Sequence, residues 1–262
     1  MSGESQSGRP PGPERPFVAP CREPGYDAPW RWLRLGWADL RRAPGPSLVL
    51  GAVVLLVSLG VSALAWRLGR FALLAALLSG FVFIAPLLAT ALYGVSRDLA
   101  EGRRPGLRAS LRLARRVVGE AAVFALVQLV ILLLWSRAGM MVSAFVPVHE
   151  GDTRALLEFL LFGSLAGSVF AAFTFAVAAF SLPMVADREV DMITAGLSSV
   201  NAVLRNKGVT LLWAALIVVL TALGFATAFL GLAVVMPWLA YAAWHAYREV
   251  VDASAWPRRE QA

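Results

Sequence analysis

Long apolar runs alternate with short arginine-rich segments along most of the chain. A helix needs about 20 mostly apolar residues to cross a hydrocarbon core about 30 Å thick. Runs of that length predict membrane spans at 47–66, 71–95, 117–135 and 159–182.

A fifth run carries no charge from residue 209 to residue 244. As one helix rising 1.5 Å per residue it would reach about 54 Å, which is too long for one span. The glycines and threonines of 223–231 are poor helix-interior residues, so we expect a turn there. Two spans, 209–225 and 228–247, bring the predicted number to six.

The basic residues predict the orientation of these spans. Of the 24 lysines and arginines, 20 lie in the two terminal segments and in the second and fourth loops. Cytoplasmic loops carry the excess of positive charge. We therefore expect both termini to lie in the cytoplasm.

A short amphipathic stretch precedes each odd-numbered span, at 30–42, 106–116 and 195–207. In addition, the exit of the second span, "PLLATALYGVSRD", and that of the sixth, "PWLAYAAWHAYRE", share their proline, leucine, alanine and arginine positions. These patterns predict an all-α membrane protein of three hairpins, each preceded by an interfacial helix. Internal repeats are common among transport proteins, although inert scaffolds also contain them.

The first amphipathic stretch, "WRWLRLGWADLRR", divides into an apolar face and a charged face at 100° per residue. Tryptophan favours the headgroup level of a bilayer and arginine contacts anionic lipid, so we interpret this stretch as an in-plane helix. A tryptophan and a tyrosine at the end of the sixth span fit the same role. The predicted interfacial anchors are Trp30, Trp32, Trp37, Arg31, Arg34, Arg41, Arg42, Trp244 and Tyr247.

Composition supports a membrane protein, because 58% of the residues are hydrophobic and 16% are charged, against about 25% charged in soluble domains. The net charge of +7 could indicate nucleic acid, but the first stretch would then leave its apolar face in water. We expect the bilayer as partner, with anionic lipids, and no nucleic acid. Residues 1–28 and 252–262 are expected to be cytoplasmic tails, the first disordered, around a membrane domain at 29–251.

Ionisable and polar groups inside membrane spans are the usual place to look for function. Glu120 and Gln128 are the candidate polar membrane site; the alternatives are pairing of Glu120 with a nearby arginine and hydrogen bonding of Gln128 between helices. Asp98, Asp187 and Glu249 stand beside arginines at helix ends, where capping or a cytoplasmic gate are the two interpretations.

His149 and His245 lie on opposite predicted sides and cannot share a metal, so we expect no metal and no cofactor. His245 is interpreted as an interfacial anchor rather than a haem ligand. Gly163 and Gly167 have the GxxxG spacing of closely packed helices, which indicates packing inside the bundle or dimerisation.

Three segments carry a resemblance to a known family: "WLRLGWADLRRAPGPSLVLG", "PLLATALYGVSRDLAEGRRP" and "MPWLAYAAWHAYREVV". Over roughly 30–251 the chain resembles an uncharacterised family of bacterial six-span integral membrane proteins, a domain of unknown function. The resemblance implies residence in the bacterial inner membrane and transfers no catalytic residue.

The function expected from these patterns is that of a non-enzymatic membrane-organising or assembly factor, with other membrane proteins or further copies of the chain as partners. Interfacial anchors are abundant and internal polar groups are few. The apparent repeats, together with prolines near helix ends, favour a small-solute or lipid transporter as the alternative. A membrane-embedded enzyme comes third, because no motif supports one.

Overall fold

The computed structural model describes residues 16–68, 88–145 and 153–259. The predicted second span lies outside these residues between 71 and 87. The helices of the described part, in chain order, are α1 (Ala28–Arg42), α2 (Pro44–Leu68), α3 (88–100), α4 (Leu107–Arg116), α5 (Val118–Phe145), α6 (Thr153–Asp187), α7 (Met192–Arg205), α8 (Lys207–Ala226) and α9 (Leu232–Val250).

The described helices confirm an all-helical membrane protein with several candidate spans. Four segments are long and apolar enough to cross a bilayer: Pro44–Leu64, Val118–Val142, Thr153–Asp187 and Lys207–Ala226. They overlap the predicted first, third, fourth and fifth spans. The sixth span and the hairpin arrangement stay predictions.

The long uncharged run is interrupted between α8 and α9, inside the segment expected to turn. The Thr227 hydroxyl donates to the Gly224 carbonyl at 2.8 Å and accepts from the Gly231 N–H at 2.7 Å. A β-carbon on Gly231 would lie 2.6 Å from that hydroxyl oxygen, so the turn requires glycine there. Ala228 and Phe229 have φ of 51° and 69°, in the left-handed region that ends helical geometry.

Each amphipathic helix joins the following long helix through a single residue. These joint residues are Ala43, Val117 and Asn206, and all three are buried. In each, the N–H donates to the carbonyl four residues earlier, while ψ is positive (59°, 13° and 40°) and the chain changes direction. At Ala43 the cause is the following proline, which disfavours the helical region for the residue before it.

The three amphipathic helices also pack in one pattern, each against the last helix of the preceding unit. Helix α4 lies against α3, where a β-carbon on Gly94 would be 3.4 Å from the Ser110 Cα. Helix α7 lies against α6, where the Ser199 hydroxyl donates to the Ala176 carbonyl at 2.7 Å. Helix α1 lies against α9, where a β-carbon on Gly36 would be 2.6 Å from the Ala242 nitrogen.

Gly36, Ser110 and Ser199 each stand seven residues before their joint. A small side chain at this position lets the backbones of the two helices approach closely. Helix α1, the first of the described helices, thus packs on α9, the last of them. Each of the three amphipathic helices therefore has a small residue at the same distance from its joint, and the hairpin repeat stays a prediction.

The part of the predicted disordered tail that the structure describes, 16–27, is packed against the rest of the protein. The N–H of Arg22 donates to the Val250 carbonyl, and that of Asp252 donates to the Pro20 carbonyl, both at 2.8 Å. Ala19 is buried and its N–H donates to the Ser198 hydroxyl. Composition indicated disorder here, but pairing of the backbone groups with α7 and the C-terminal segment gives this segment fixed partners. Both terminal segments therefore lie at one end of the molecule.

Candidate functional site

A stripe of polar side chains runs along α9 at intervals of four residues: Tyr241, His245 and Glu249. That spacing places them on one helix face. The Tyr241 hydroxyl is 2.7 Å from the Ser47 hydroxyl, and His245 Nε2 is 2.8 Å from Asp39 Oδ2. These two pairs, together with the contacts of Glu249, form what we call the polar ladder.

At the end of the ladder, Glu249 accepts hydrogen bonds from two side chains of α1. The Arg31 Nη2 donates at 2.5 Å and the Trp32 indole N–H donates at 2.9 Å. The Glu249 hydrogen bond and charge, together with Asp27, raise the pKa of Arg31 despite the opposing effect of desolvation. The ladder therefore fixes α1 to α9 by charge-assisted as well as neutral hydrogen bonds.

A second polar cluster joins the ends of α3, α6 and α9 to the C-terminal segment. Arg97 is buried and donates to the carbonyls of Ala186 and Arg259. Asp187, also buried, accepts from the Tyr247 hydroxyl at 2.9 Å and from Arg188 Nε at 3.0 Å. These contacts support the capping and ion-pairing interpretation of Asp187.

At the end of α3, Arg103 pairs with both Asp98 and Glu101. Desolvation acts to raise the pKa of Glu101, but the hydrogen bond and charge of Arg103, with those of Arg97, lower it overall. Asp98 is buried and Glu101 is half-buried. The acidic residues of this end thus meet guanidinium groups rather than an open channel.

Several predicted lipid anchors are buried in protein, which corrects their assignment. Trp32, Trp244 and Tyr247 are at most 1% exposed. Trp32 packs edge to face on Trp213 with ring centres 5.7 Å apart. The apolar face of α1 was identified correctly, but much of it meets α8 and α9 because the small Gly36 lets α1 lie directly on α9.

Two of the predicted tryptophan anchors keep substantial exposure. Trp30 is 58% exposed, and Trp37 is 39% exposed while contacting Trp238 edge to face. Arg31 belongs to the polar ladder. Arg34, Arg41 and Arg42 are exposed, and their contact with lipid stays a prediction.

The structure does not bring Glu120 and Gln128 together as one site. Both belong to α5, eight residues and about 12 Å apart along the axis. Glu120 Oε2 accepts the Met192 N–H at 2.7 Å and so satisfies one of the free N–H groups at the start of α7. Gln128 Oε1 is buried, has no hydrogen-bond partner among the described residues, and lines a cavity of about 370 Å³ between α5 and α6.

The two glycines of the GxxxG pair have different surroundings. A β-carbon on Gly167 would lie 3.5 Å from the Trp135 indole nitrogen of α5, so this glycine faces a neighbouring helix. A β-carbon on Gly163 would meet nothing within 4 Å in the described part of the chain. Packing inside the bundle is thus supported at Gly167, and dimerisation stays a prediction.

The geometry around Asp39 is suited to holding helices together. Ser96 Oγ and His245 Nε2 lie 2.7 Å and 2.8 Å from the same carboxylate oxygen. In a nucleophilic triad the imidazole would stand between the hydroxyl and the carboxylate. Here the carboxylate stands between them and connects α1, α3 and α9.

Among the described residues, no group of three or more histidine, cysteine or acidic side chains is arranged to hold a metal.

Sequence reasoning missed Asp39, which it placed on the charged face of α1, and it missed the role of His245. Asp39 is 4% exposed. The available signal was the four-residue spacing of Tyr241, His245 and Glu249, since polar groups repeating on one face of an apolar helix require partners. Sequence alone did not show that α1 would supply them.

The polar ladder and the polar cluster around Arg97 and Asp187, together called the polar end, join the long apolar helices. This arrangement defines a multi-span helical membrane protein. Consistent with this class, residues 73–187 match the model of a family described as a predicted integral membrane protein, DUF2189. The match covers α3 to α6 and confirms the resemblance to an uncharacterised membrane family. Neither the curated proteins nor the solved structures contain a match to the chain.

Proposed function

We propose that this protein is a non-enzymatic membrane-organising or assembly factor of the bacterial inner membrane, with both termini in the cytoplasm. The observation that carries the proposal is the use of the polar groups around α9. The polar ladder and the Asp187 cluster join the ends of the apolar helices to one another.

The outward faces of these helices offer surface to lipids or to other membrane proteins. Leu133 on α5, Leu165 on α6 and Val218 on α8 are each between 60% and 66% exposed. Apolar surface in a bilayer has no hydrophobic driving force to associate, so partners would be selected by close packing and interhelical hydrogen bonds. The exposed Arg34, with Arg41 and Arg42, would contact anionic lipid.

Site-specific photo-crosslinking in native membranes tests this proposal. A photoreactive residue placed singly at Leu133, Leu165 or Val218 samples three helices at nearly equal exposure, so each position controls for the others. We expect one position to give a discrete, saturable protein adduct of reproducible mass, and the others to give lipid adducts. An adduct of twice the chain mass would indicate a homo-oligomer. Lipid adducts alone at all three positions would contradict an assembly role.

A second candidate, a lipid transporter, is favoured by an apolar cavity of about 370 Å³. It lies between α2, α3, α6, α8 and α9 and is lined mainly by aliphatic and aromatic side chains, with Thr221 as a polar exception. Such a lining suits an acyl chain better than a hydrated solute.

Cysteine labelling distinguishes a transporter, whether of solutes or of lipid, from the proposed assembly factor. In a Cys21→Ser background, Ala178→Cys and Ala240→Cys place thiols at the cavity, and Ser254→Cys provides an exposed control. Reaction of the cavity thiols with a membrane-impermeant maleimide would favour a solute path. Protection that is reversed on delipidation would favour lipid occupancy, and extraction without bound lipid would count against it.

A further inference from the structure

A small polar cavity of about 150 Å³ lies beside the polar end, on the side of the C-terminal segment. Four parts of the chain line it: the N-terminal segment through Arg22, the end of α6 through Arg188, the end of α9 through Arg248, and the segment that follows α9 through Asp252 and Ser254. A cavity needs roughly 10–15 Å³ of water-accessible volume to hold one water, and this cavity exceeds that several-fold.

The two carboxylates of this cavity already have cationic or N–H partners. Asp187 accepts from Arg188 and from the Tyr247 hydroxyl. Asp252 lies 3.4 Å from Arg22 and accepts the Ser254 N–H. Hydrogen bonds from Ser254, together with the charge of Arg22, lower the pKa of Asp252 and keep it ionised at neutral pH.

The guanidinium groups exceed the carboxylates by one, since three arginines and two aspartates line the cavity. Arg248 is exposed and has no ion pair with any described residue. A guanidinium presents a planar array of N–H donors that matches two phosphate oxygens at once. The site therefore combines an unneutralised cation with a recess large enough for a tetrahedral anion.

We infer that this cavity binds a phosphate-bearing anion, with Arg248 as the principal ligand and Arg22 and Arg188 contributing their remaining N–H groups. The ligand is either the headgroup of an anionic phospholipid or a soluble phosphate. Residues from the N-terminal segment and from the ends of α6 and α9 would be joined by one anion. The inference concerns one site and holds whether or not the protein assembles other membrane proteins.

Native mass spectrometry of the full-length protein in detergent tests the inference. Arg248→Gln removes the unpaired guanidinium, and Arg104→Gln removes an exposed charge from the segment between α3 and α4 as the matched control. Each is offered phosphatidylglycerol, phosphatidylcholine or, in a separate arm, inorganic phosphate against chloride at equal ionic strength. Thermal unfolding reports binding in the phosphate arm.

We expect Arg248→Gln to weaken phosphatidylglycerol or phosphate binding at least tenfold, because one charge-assisted hydrogen-bonding group is lost. Arg104→Gln should bind like the wild type. Preference for phosphatidylglycerol would identify a headgroup site, and stabilisation by phosphate alone would identify a soluble ligand. Arg248→Lys keeps the charge but lacks the planar array of guanidinium N–H donors. Anion binding by this variant that is weaker than in the wild type but stronger than in Arg248→Gln supports the inference. Equal binding by Arg248→Gln and the wild type, or equal losses in Arg248→Gln and Arg104→Gln, would overturn it.

Discussion

Trp30 and Trp32 are two residues apart on α1 and have opposite environments. Trp32 is 0% exposed, donates to Glu249 and packs on Trp213, whereas Trp30 is 58% exposed. A residue type that favours the headgroup level can serve equally well as the largest side chain of a protein core. The amino acid therefore indicates an amphipathic setting without deciding between lipid and protein.

Replacing Trp32 by alanine should destabilise the protein by about 3–5 kcal/mol, the usual cost of removing a buried aromatic side chain. Loss of the indole hydrogen bond to Glu249, which keeps Arg31 as its partner, adds to the cost. Unfolding followed by intrinsic fluorescence in detergent measures the change. Trp30→Ala is the control and should leave stability nearly unchanged. Equal effects of the two substitutions would mean that α1 does not pack on α9 as described.

Glu101 should make the stability of the polar end depend on pH. Although desolvation opposes the shift, Arg103 and Arg97 lower the pKa of Glu101 below its ordinary value of 4.5. A lowered carboxylate pKa stabilises the fold above the unfolded-state pKa, and this contribution is lost as the pH falls through the folded-state pKa. Melting temperature should therefore drop more steeply below about pH 4.5 in the wild type than in Glu101→Gln. The exposed Glu158→Gln variant should keep the wild-type profile, and an unchanged profile in Glu101→Gln would contradict the role of this carboxylate.

At the level of the helix, close approach to α9 depends on particular glycines. A β-carbon on Gly51 of α2 would lie 2.0 Å from the Ala233 carbonyl oxygen of α9, which forces the two backbones apart. Gly60 stands in the same helix, and a β-carbon there would meet no atom of the described residues within 4 Å. The contrast separates a packing requirement from the general effect of alanine on a helix.

Gly51→Ala should cost about 1–3 kcal/mol, as expected for overpacking, or prevent stable docking of α2 on α9. Gly60→Ala should be neutral or slightly stabilising, because alanine is the better helix former. Thermal unfolding and the yield of monodisperse protein provide the two measurements. A stable Gly51→Ala variant would show that α2 and α9 are farther apart than described.

The helices were largely predictable from sequence, and their contacts were not. The hydrophobic periodicity and the lengths of the apolar runs predict the apolar face of α1, the long helices and the break near Thr227. Polar spacing on α9 contained a signal for the ladder, but the partners Asp39 and Ser47 lie about two hundred residues earlier in the chain. Hydrophobic pattern reports which side of a helix avoids water, and in a membrane protein lipid and protein both satisfy that condition. The packing of residues 16–27 was missed for a related reason, since their fixed partners are backbone and small groups rather than large apolar side chains.

For the whole molecule, the pairing of both terminal segments at one end makes a specific topology prediction. The backbones of Cys21 and Val251 form an isolated antiparallel β-bridge, and so do those of Arg188 and Arg258. Reporter fusions at the two termini should therefore give the same signal. Because the basic residues predict a cytoplasmic location, a fusion at residue 150 should give the opposite one. Unlike signals from the two termini would contradict the described packing, and agreement between residue 150 and the C-terminus would overturn the six-span topology.

The contact between α1 and α9 also constrains how the protein is made. Trp32 and Glu249 are separated by 217 positions in sequence, so α1 leaves the ribosome long before its partner exists. At 5–20 residues per second, the delay is roughly 10–40 s. During that time the surface of α1 that later contacts α9 lacks its partner and is available to lipid or to quality-control factors. A chain that stops before α9 would keep that surface uncovered, so completion of synthesis is linked directly to burial of the N-terminal helix.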